Sequence, residues 1–236
     1  MKVALVFPGQ GAQSPGMGSD LFAAHQGLFD TADAVLGFGL TELMFHGSME
    51  DLTQTRVTQP AVFVHSVVKA ASLGENFRPG MVAGHSLGEY SALAAAQTFT
   101  LADAARLLKI RGQAMQSATP VGTGAMAALL GLDFATAAAV AAEAAQGEVC
   151  QAANDNSDGQ VVVSGSKAAV ERCAEVAKAK GAKRAIMLPV SAPFHCALME
   201  PVKPRLAEVL ARAHLSAPAV PVVANVDAKA NAEAAR

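Results

Sequence analysis

Short runs of β-branched residues alternate with longer segments rich in alanine and leucine along the first half of this chain. Such alternation is typical of strands joined by crossover helices into a mostly parallel sheet. The run 3–7 predicts a buried first strand, and 80–84 predicts a second strand that closes on glycine. Three helices are predicted between and after these strands, at 60–73, 89–97 and 101–117. Thr100 is the predicted N-cap of the third helix, and the fold class is α/β.

The pattern changes near Gly122, where shorter elements follow in the order β-α-β-β-α-β. The predicted elements are strand 124–132, helix 133–146, strands 149–153 and 160–164 around an Asn- and Asp-rich turn, helix 167–180 and strand 185–189. This order is the signature of a ferredoxin-like fold. We therefore predict a small domain at 122–190, inserted into a larger α/β domain formed by 1–121 and 191–236. The alanine-rich tail 228–236 predicts the start of a further helix.

Composition and charge narrow the class of protein. With 236 residues and 52% hydrophobic content, the chain can bury a large core. Eighteen basic against twenty acidic residues, one Tyr and no Trp argue against a nucleic-acid partner. Three cysteines without a CxxC motif argue against a disulfide framework or a thiolate zinc site. The apolar run 3–7 is too short for a signal peptide and no stretch suits a bilayer, so we predict a cytoplasmic protein with no membrane partner.

Residues 84–88, GHSLG, fit the pattern G-x-S-x-G, with an apolar strand predicted before them and a helix after them. The flanking glycines permit a sharp turn that lifts a hydroxyl over the sheet edge. We therefore predict Ser86 as a nucleophile; a tight turn with a structural serine is the alternative. The same turn aims the backbone N–H of Leu87 toward the oxygen that becomes negative when a serine attacks a carbonyl.

A glycine-rich loop at 7–13, FPGQGAQ, leaves the first predicted strand at the same edge of the sheet. It fits neither phosphate-binding motif, because Ser14 replaces the third glycine of a dinucleotide fingerprint and a P-loop begun at Gly11 would end in Met17-Gly18. An ordinary strand-end turn is one interpretation. We prefer the other, in which the backbone N–H of Gln10 faces the site as a second oxyanion donor.

A serine nucleophile needs a base, which is usually histidine. Four of the six histidines show no partner pattern. His85 adjoins Ser86, where its side chain should point away from the hydroxyl, so we expect it to line the pocket. His195 lies in SAPFHC, on the loop that returns from the small domain, and such loops often carry catalytic groups. It is the candidate base, and no HExxH-like spacing supports a metal site.

Arg111 shares the apolar stripe of its predicted helix with Leu101, Ala104, Leu108 and Met115. A guanidinium on a core face must be paired, because an unpaired buried charge is very costly. Its partner is either an internal Asp or Glu or a substrate carboxylate, which the planar guanidinium binds in bidentate fashion. The residues alone leave both partners open.

Six motifs occur in a fixed order over essentially the whole chain. They are FPGQGAQ at 7–13, GHSLGEYSAL at 84–93, KIRGQAMQ at 109–116, GAMAALLG at 124–131, the Asn154-Asp155-Asn156 turn and SAPFHC at 191–196. Together they resemble the malonyl-CoA:acyl-carrier-protein transacylases, the acyltransferases that load bacterial fatty-acid synthesis. Several such motifs at once are far more specific than any one alone.

The resemblance implies a set of roles and an α/β-hydrolase-like core for the large domain. It implies Ser86 as nucleophile, His195 as base, the Gln10 and Leu87 backbone N–H groups as oxyanion hole, and Arg111 as clamp for the malonyl carboxylate.

Further candidates for the substrate site are His85, from its position beside Ser86, and Asn154, Asn156 and Phe194, which lie in motifs that carry the resemblance. The ring of Phe194 would crowd out branched acyl groups; a packing aromatic is the alternative.

Malonyl-CoA and acyl carrier protein are the partners that the resemblance implies, with the coenzyme A thioester as substrate and no metal or redox cofactor. We expect a monomer. The carrier is acidic in this pathway, so a cationic rim would assist docking. The candidates are Lys178, Lys180, Lys183 and Arg184, for which a solvated face is the alternative. Family members normally continue beyond Arg236 and there supply a backbone carbonyl that orients the histidine, so we expect a C-terminal part to be missing.

Two other functions remain open at the level of sequence. A serine esterase or thioesterase would use the same turn with water as acceptor, and would release free acid. An inactive, carrier-binding fragment would bind carrier protein without acylation of its serine.

Overall fold

The structure is a computed structural model that describes residues 3–74 and 76–233. Its elements along the chain are β1 (Ala4–Phe7), α1 (Phe22–Leu36), α2 (Leu40–His46), α3 (Met49–Thr53), α4 (Thr55–Ala71), β2 (Met81–Gly84), α5 (Gly88–Ala95), α6 (Leu101–Ser117), β3 (Gly124–Leu130), α7 (Phe134–Ala145), β4 (Cys150–Ser157), β5 (Gln160–Ser166), α8 (Lys167–Ala179), β6 (Arg184–Met187), α9 (Val202–Arg212), β7 (Val222–Val223) and β8 (Ala230–Asn231). Short 3-10 helices occupy Ser19–Leu21 and Ala197–Met199.

The chain divides into two compact units. The first comprises Met1–Gly112 and Glu208–Arg236, and the second comprises Gln113–Ala207. Both boundaries fall inside helices, α6 and α9. The mixed α/β class is confirmed, whereas the domain bounds 122 and 190 stay a prediction.

The sheet of the first unit has the strand order β1-β2-β7-β8. Strands β1, β2 and β7 are parallel, and β8 returns antiparallel to β7. The core between this sheet and α5 is formed by Phe7, Val82, Ala92, Ala96 and Val222. Because β1, β2 and β7 run in the same direction, the loops that follow them leave from one edge of the sheet. That edge carries the residues described below.

The second unit contains an antiparallel sheet with strand order β4-β5-β3-β6. Its elements follow the predicted order β-α-β-β-α-β. Helices α7 and α8 pack on one face, over a core that includes Leu129, Val140, Val163 and Cys173. A second cluster contains side chains from the alternate positions of the same strands, such as Met126.

Helix boundaries follow the sequence in some places and not in others. Helix α6 has the predicted bounds, and the Thr100 hydroxyl accepts a hydrogen bond from the Asp103 backbone N–H at 3.0 Å, as the N-cap prediction requires. Helix α4 begins at Thr55 rather than at the predicted Pro60. Within the described ranges, no helix combines the length and the apolarity needed to cross a bilayer.

The predicted turn at Asn154-Asp155-Asn156 is wrong, because these residues belong to β4. Asn154 pairs with Val162 and Asp155 with Val161, with register shifts on either side. The chain turns instead at Asp158-Gly159, where Gly159 has a φ of 71°. Gly159 adopts this positive φ at no steric cost and so places the turn, which outweighs the general preference of Asn and Asp for turns.

The predicted helix at 228–236 is also wrong over 228–233. Ala230–Asn231 forms β8, which pairs antiparallel with β7. Pairing with an existing strand overrides the helix propensity of a few alanines, since isolated short helices are marginal in water. Residues 234–236 of this prediction lie outside the described residues.

Candidate active site

Ser86 lies in the sharp turn between β2 and α5, with a φ of 51°. This left-handed conformation is uncommon for residues with a side chain. The two glycines of the motif are sterically required. A Cβ at Gly84 would collide with the carbonyl oxygen of Gly88, and a Cβ at Gly88 would collide with that of Phe7. The turn therefore has the compact strand-to-helix geometry that G-x-S-x-G predicts.

The Arg111 side chain contacts the Ser86 hydroxyl. Arg111 is only 7% exposed, and its Nη2 donates to Ser86 Oγ at 3.3 Å. Its Nη1 donates to Gln59 Oε1 at 2.7 Å, and the guanidinium carbon lies 5.5 Å from the centre of the Tyr90 ring. A neutral amide and an aromatic ring thus hold a buried cation beside the candidate nucleophile.

Charge around Arg111 is incompletely balanced. Burial lowers the pKa of Arg111, and the neighbouring Tyr90 and Glu89 oppose that shift. Among the described residues, no Asp or Glu oxygen lies within 4.0 Å of the guanidinium. The internal ion pair that the sequence left open as one alternative is therefore not formed by any Asp or Glu in residues 3–74 and 76–233.

The loop after β1 packs tightly against the Ser86 turn. A Cβ at Gly9 would lie 2.7 Å from the His85 carbonyl oxygen and 2.8 Å from His85 Nδ1, and the His85 backbone N–H donates to the Phe7 carbonyl at 3.0 Å. The Gln10 side chain donates to Thr55 Oγ1 at 3.4 Å. In the part of the chain that the structure describes, the backbone N–H groups of Gln10 and Leu87 have no protein acceptor. Both predicted oxyanion donors are thus available for a ligand.

Asn225 is a site residue that sequence reasoning missed. Its Oδ1 accepts from the Ser86 backbone N–H at 2.7 Å, and its Nδ2 donates to the Gly84 carbonyl at 2.6 Å. Its backbone N–H donates to Glu89 Oε2 at 3.2 Å, and burial raises the pKa of Glu89. The one sequence feature that could have found it is a polar residue directly after the apolar run 219–224.

The predicted site residues of the second unit lie in two places, the loop after β6 and strand β4. His195 is exposed, with a φ of 60°, while its neighbour Phe194 is 6% exposed and packs in the core beside Met126. Asn154 is half-buried and Asn156 is exposed, both in β4. The roles of these four residues stay predictions.

The four predicted docking cations are all exposed at the end of α8 and in and before β6. Lys178 pairs with Glu175 at 2.9 Å, and Lys180 pairs with Glu143 at 3.3 Å. These two ion pairs reduce the local positive charge. Lys183 and Arg184 add to that charge. Docking at this surface stays a prediction.

A serine at the sharp turn from a parallel strand into a helix, with backbone N–H groups beside it, is typical of α/β proteins that use a serine nucleophile. Comparison with known proteins is more specific. Residues 4–235 match the acyl transferase domain family, and the chain belongs to that family.

Relatives of known sequence match the chain over nearly its full length. It is 50% identical to malonyl CoA-acyl carrier protein transacylase of Escherichia coli strain K12 over 231 residues, which are 96% of this chain and 75% of the relative. It is 44% identical to the protein of the same name from Bacillus subtilis strain 168, over 99% of this chain and 75% of the relative. The chain thus spans about three quarters of the length of these relatives.

Solved structures agree with this assignment. Malonyl CoA-acyl carrier protein transacylase of Coxiella burnetii is 42% identical, with a TM-score of 0.94 over 99% of this chain and 76% of that one. A malonyl-transacylase solved in complex with its type II polyketide synthase acyl-carrier protein is 45% identical, with a TM-score of 0.94 over 99% of this chain and 77% of that one.

Proposed function

We propose that the protein transfers the malonyl group of malonyl-CoA to the pantetheine thiol of acyl carrier protein, in fatty-acid biosynthesis, through a malonyl ester of Ser86. Relatives named as malonyl CoA-acyl carrier protein transacylases support the reaction, with 50% identity over 96% of the chain in one case. A malonyl-transacylase bound to an acyl-carrier protein supports the acceptor.

The contact between Arg111 and Ser86 is the observation that carries this proposal. A buried cation without an acidic partner in the described residues favours a ligand that brings its own anion. In a malonyl thioester, a single methylene separates the carbonyl that is attacked from the free carboxylate. The Arg111 guanidinium lies 3.3 Å from the attacking Ser86 oxygen, which suits such a short diacid. A longer diacid would place its free carboxylate further from the carbonyl that Ser86 attacks.

The first half of the reaction forms the malonyl ester. His195 accepts the Ser86 proton as the Ser86 oxygen attacks the thioester carbonyl carbon. The N–H groups of Gln10 and Leu87 stabilise the negative oxygen of the tetrahedral intermediate, and each such donor is typically worth about 10²–10³ in rate. The carbon–sulfur bond then breaks, and coenzyme A leaves with the proton from His195.

The second half returns the enzyme to its starting state. The pantetheine thiol gives its proton to His195, and its sulfur attacks the ester carbonyl. The bond to Ser86 Oγ breaks, and the serine oxygen recovers the proton. The scheme needs no metal or redox cofactor, and Arg111 holds the malonyl carboxylate throughout.

The finer fold assignments belong to the same proposal. We propose an α/β-hydrolase-like core for the first unit, supported by its parallel strands and the serine turn. We propose a ferredoxin-like fold for the second unit, supported by its element order and strand order. A cytoplasmic location and a monomeric state stay predictions.

Mass spectrometry of the protein after incubation with malonyl-CoA tests the proposal. We expect Ser86 to become heavier by one malonyl group, and the label to leave when acyl carrier protein with a free pantetheine thiol is added. Ser86→Ala is the matched control and should remain unlabelled. A folded wild-type protein without the label would contradict the proposal.

The same experiment separates transfer from hydrolysis. A transferase keeps its acyl-serine until a thiol arrives, whereas an esterase or thioesterase releases free malonate to water. Carrier binding without any labelled serine would point instead to a binding fragment.

A further inference from the structure

The Asn225 side chain bridges the two sides of the turn that carries Ser86. Its Nδ2 donates to the carbonyl of Gly84, the last residue of β2, and its Oδ1 accepts from the backbone N–H of Ser86 itself. The two bonds measure 2.6 and 2.7 Å. One amide therefore closes a small ring of hydrogen bonds around His85, immediately before the candidate nucleophile.

Strand register brings Asn225 to this point. Ala83 of β2 lies beside Val223 of β7 in parallel register, so the residues that follow each strand leave the sheet together. The loop from Ala224 to Lys229 is closed by a hydrogen bond from the Ala224 backbone N–H to the Lys229 carbonyl, at 3.0 Å. The Asn225 backbone N–H also donates to Glu89 Oε2, which ties this loop to α5.

The chemistry of the two contacts fits an amide, which offers a donor and an acceptor side by side without needing to bind a proton. The Ser86 N–H requires an acceptor, and the Gly84 carbonyl requires a donor, so the orientation of the Asn225 amide is fixed. An ionised Asp could satisfy Ser86 but would repel the Gly84 carbonyl. A protonated Asp, which has one donor and one acceptor, could satisfy both.

Ser86 needs this support because its backbone is strained. A residue with a Cβ is sterically strained in the left-handed region, so the turn relaxes unless its surroundings hold it. A misplacement of about 1 Å at a reacting group costs roughly 10²-fold in rate. Fixing the Gly84 carbonyl and the Ser86 N–H, on either side of His85, fixes the backbone that carries the Ser86 hydroxyl beside Arg111.

We propose that Asn225 is a positioning residue that holds the Ser86 turn in its strained conformation and so keeps the hydroxyl in its reactive position. This role rests on the proposed function only in that Ser86 is the nucleophile.

Variants at Asn225 test this proposal through two reagents, a serine-directed fluorophosphonate and malonyl-CoA. For Asn225→Ala and Asn225→Asp near neutral pH, we expect the rate constant of Ser86 modification to fall about 10- to 100-fold with either reagent. The concentration of malonyl-CoA at half-maximal rate should not change, because Arg111 is untouched. As the pH falls from about 8 to about 5, the rate of Asn225→Asp relative to wild type should rise as the new carboxyl takes up a proton. Asn225→Ala should show no such recovery.

Matched controls come from the same hairpin. Asn231 donates from Nδ2 to the Lys229 carbonyl at 2.9 Å, and we expect Asn231→Ala and Asn231→Asp to react at the wild-type rate. Thermal unfolding of every variant shows whether slow modification reflects a lost fold. If Asn225→Ala is unfolded, the test rests on Asn225→Asp, which keeps the contact with Ser86.

The outcomes separate this proposal from the proposed function. Three outcomes would overturn the role of Asn225. The first is an equal rate of fluorophosphonate modification in the Asn225 variants and in wild type. The others are unfolding of both Asn225 variants and a wild-type protein that does not react with the fluorophosphonate. A wild type that reacts with the fluorophosphonate but not with malonyl-CoA would overturn the proposed function, while the fluorophosphonate rates would still decide the role of Asn225.

Discussion

At the scale of single residues, the proposed function gives Arg111 the role of distinguishing one acyl group from another. We expect Arg111→Ala to lower kcat/KM for malonyl transfer by roughly 10- to 100-fold, the worth of a charged hydrogen bond of about 1.5–3 kcal/mol. Acetyl transfer should survive or improve, because an acetyl group has no carboxylate to bind. The measurement is acyl transfer from malonyl-CoA and acetyl-CoA in parallel.

A control for this substitution lies on the same helix. Arg106 is exposed and pairs with Asp103 at 3.1 Å, so Arg106→Ala should leave both transfer rates unchanged. Equal losses of malonyl and acetyl transfer in Arg111→Ala would show that the guanidinium acts on the Ser86 hydroxyl rather than on the acyl group.

Local spacing was sufficient to single out Ser86 and Arg111 as candidates, but not the residues that hold them. Ser86 is marked by its flanking glycines, and Arg111 by its place on an apolar stripe. Their partners are distant in sequence: Gln59 is 52 positions from Arg111, and Asn225 is 139 positions from Ser86. Such pairs depend on helix packing and strand register, which periodicity does not reveal.

At the scale of secondary-structure elements, the N-cap of α6 makes a contribution to the free energy of unfolding that can be measured. Thr100 Oγ1 accepts from the Asp103 backbone N–H and donates to the Asp103 carboxylate at 2.7 Å. We expect Thr100→Ala to reduce the free energy of unfolding by about 1 kcal/mol, as loss of an N-cap usually does. Chemical denaturation measures the change.

Thr31 provides the matched control. Its hydroxyl donates to the Gly27 carbonyl inside α1, a bond within the helix that adds little, so Thr31→Ala should be neutral or slightly stabilising. Equal losses of unfolding free energy in Thr100→Ala and Thr31→Ala would show that the N-cap hydrogen bond of Thr100 adds no stability beyond that of a threonine inside a helix.

A long helix with a clear apolar stripe was easier to predict than a very short strand. Helix α6 has 17 residues and a clear stripe, and its predicted bounds are those of the structure. Strand β7 has two residues and was not predicted, since no alternation can be detected over two positions. The turn before β5 was misplaced for a related reason: Asn and Asp mark turns by composition, whereas the hairpin is set by Gly159 alone.

At the scale of the whole molecule, the chain leaves the first unit at Gly112 and returns to it at Glu208. The returning segment adds β7 to the parallel sheet beside β2 and brings Asn225 to the serine turn. The site therefore depends on parts of the chain that are remote in sequence. The order of the motifs was visible in the sequence, but the pairing of β2 with β7 was not.

Surface charge contributes little to the stability of this molecule. Most of its ion pairs join exposed side chains, and several of these pairs are three or four positions apart on one helix. Such pairs are typically worth about 0–1 kcal/mol. Half-buried Glu89, which accepts from the Asn225 backbone N–H, is a stronger source of pH dependence.

Burial raises the pKa of Glu89 above its ordinary value of 4.5, which the Asn225 hydrogen bond and Arg111 only partly oppose. Between the unfolded and folded pKa values, the folded state holds more protons, so this residue makes stability fall as pH rises. We expect Glu89→Gln, which keeps an acceptor for Asn225, to gain stability relative to wild type as pH rises from below 4.5 to neutral. Urea denaturation across this range measures the difference. If the difference in unfolding free energy between wild type and Glu89→Gln does not change with pH, Glu89 has the same pKa in the folded and unfolded states.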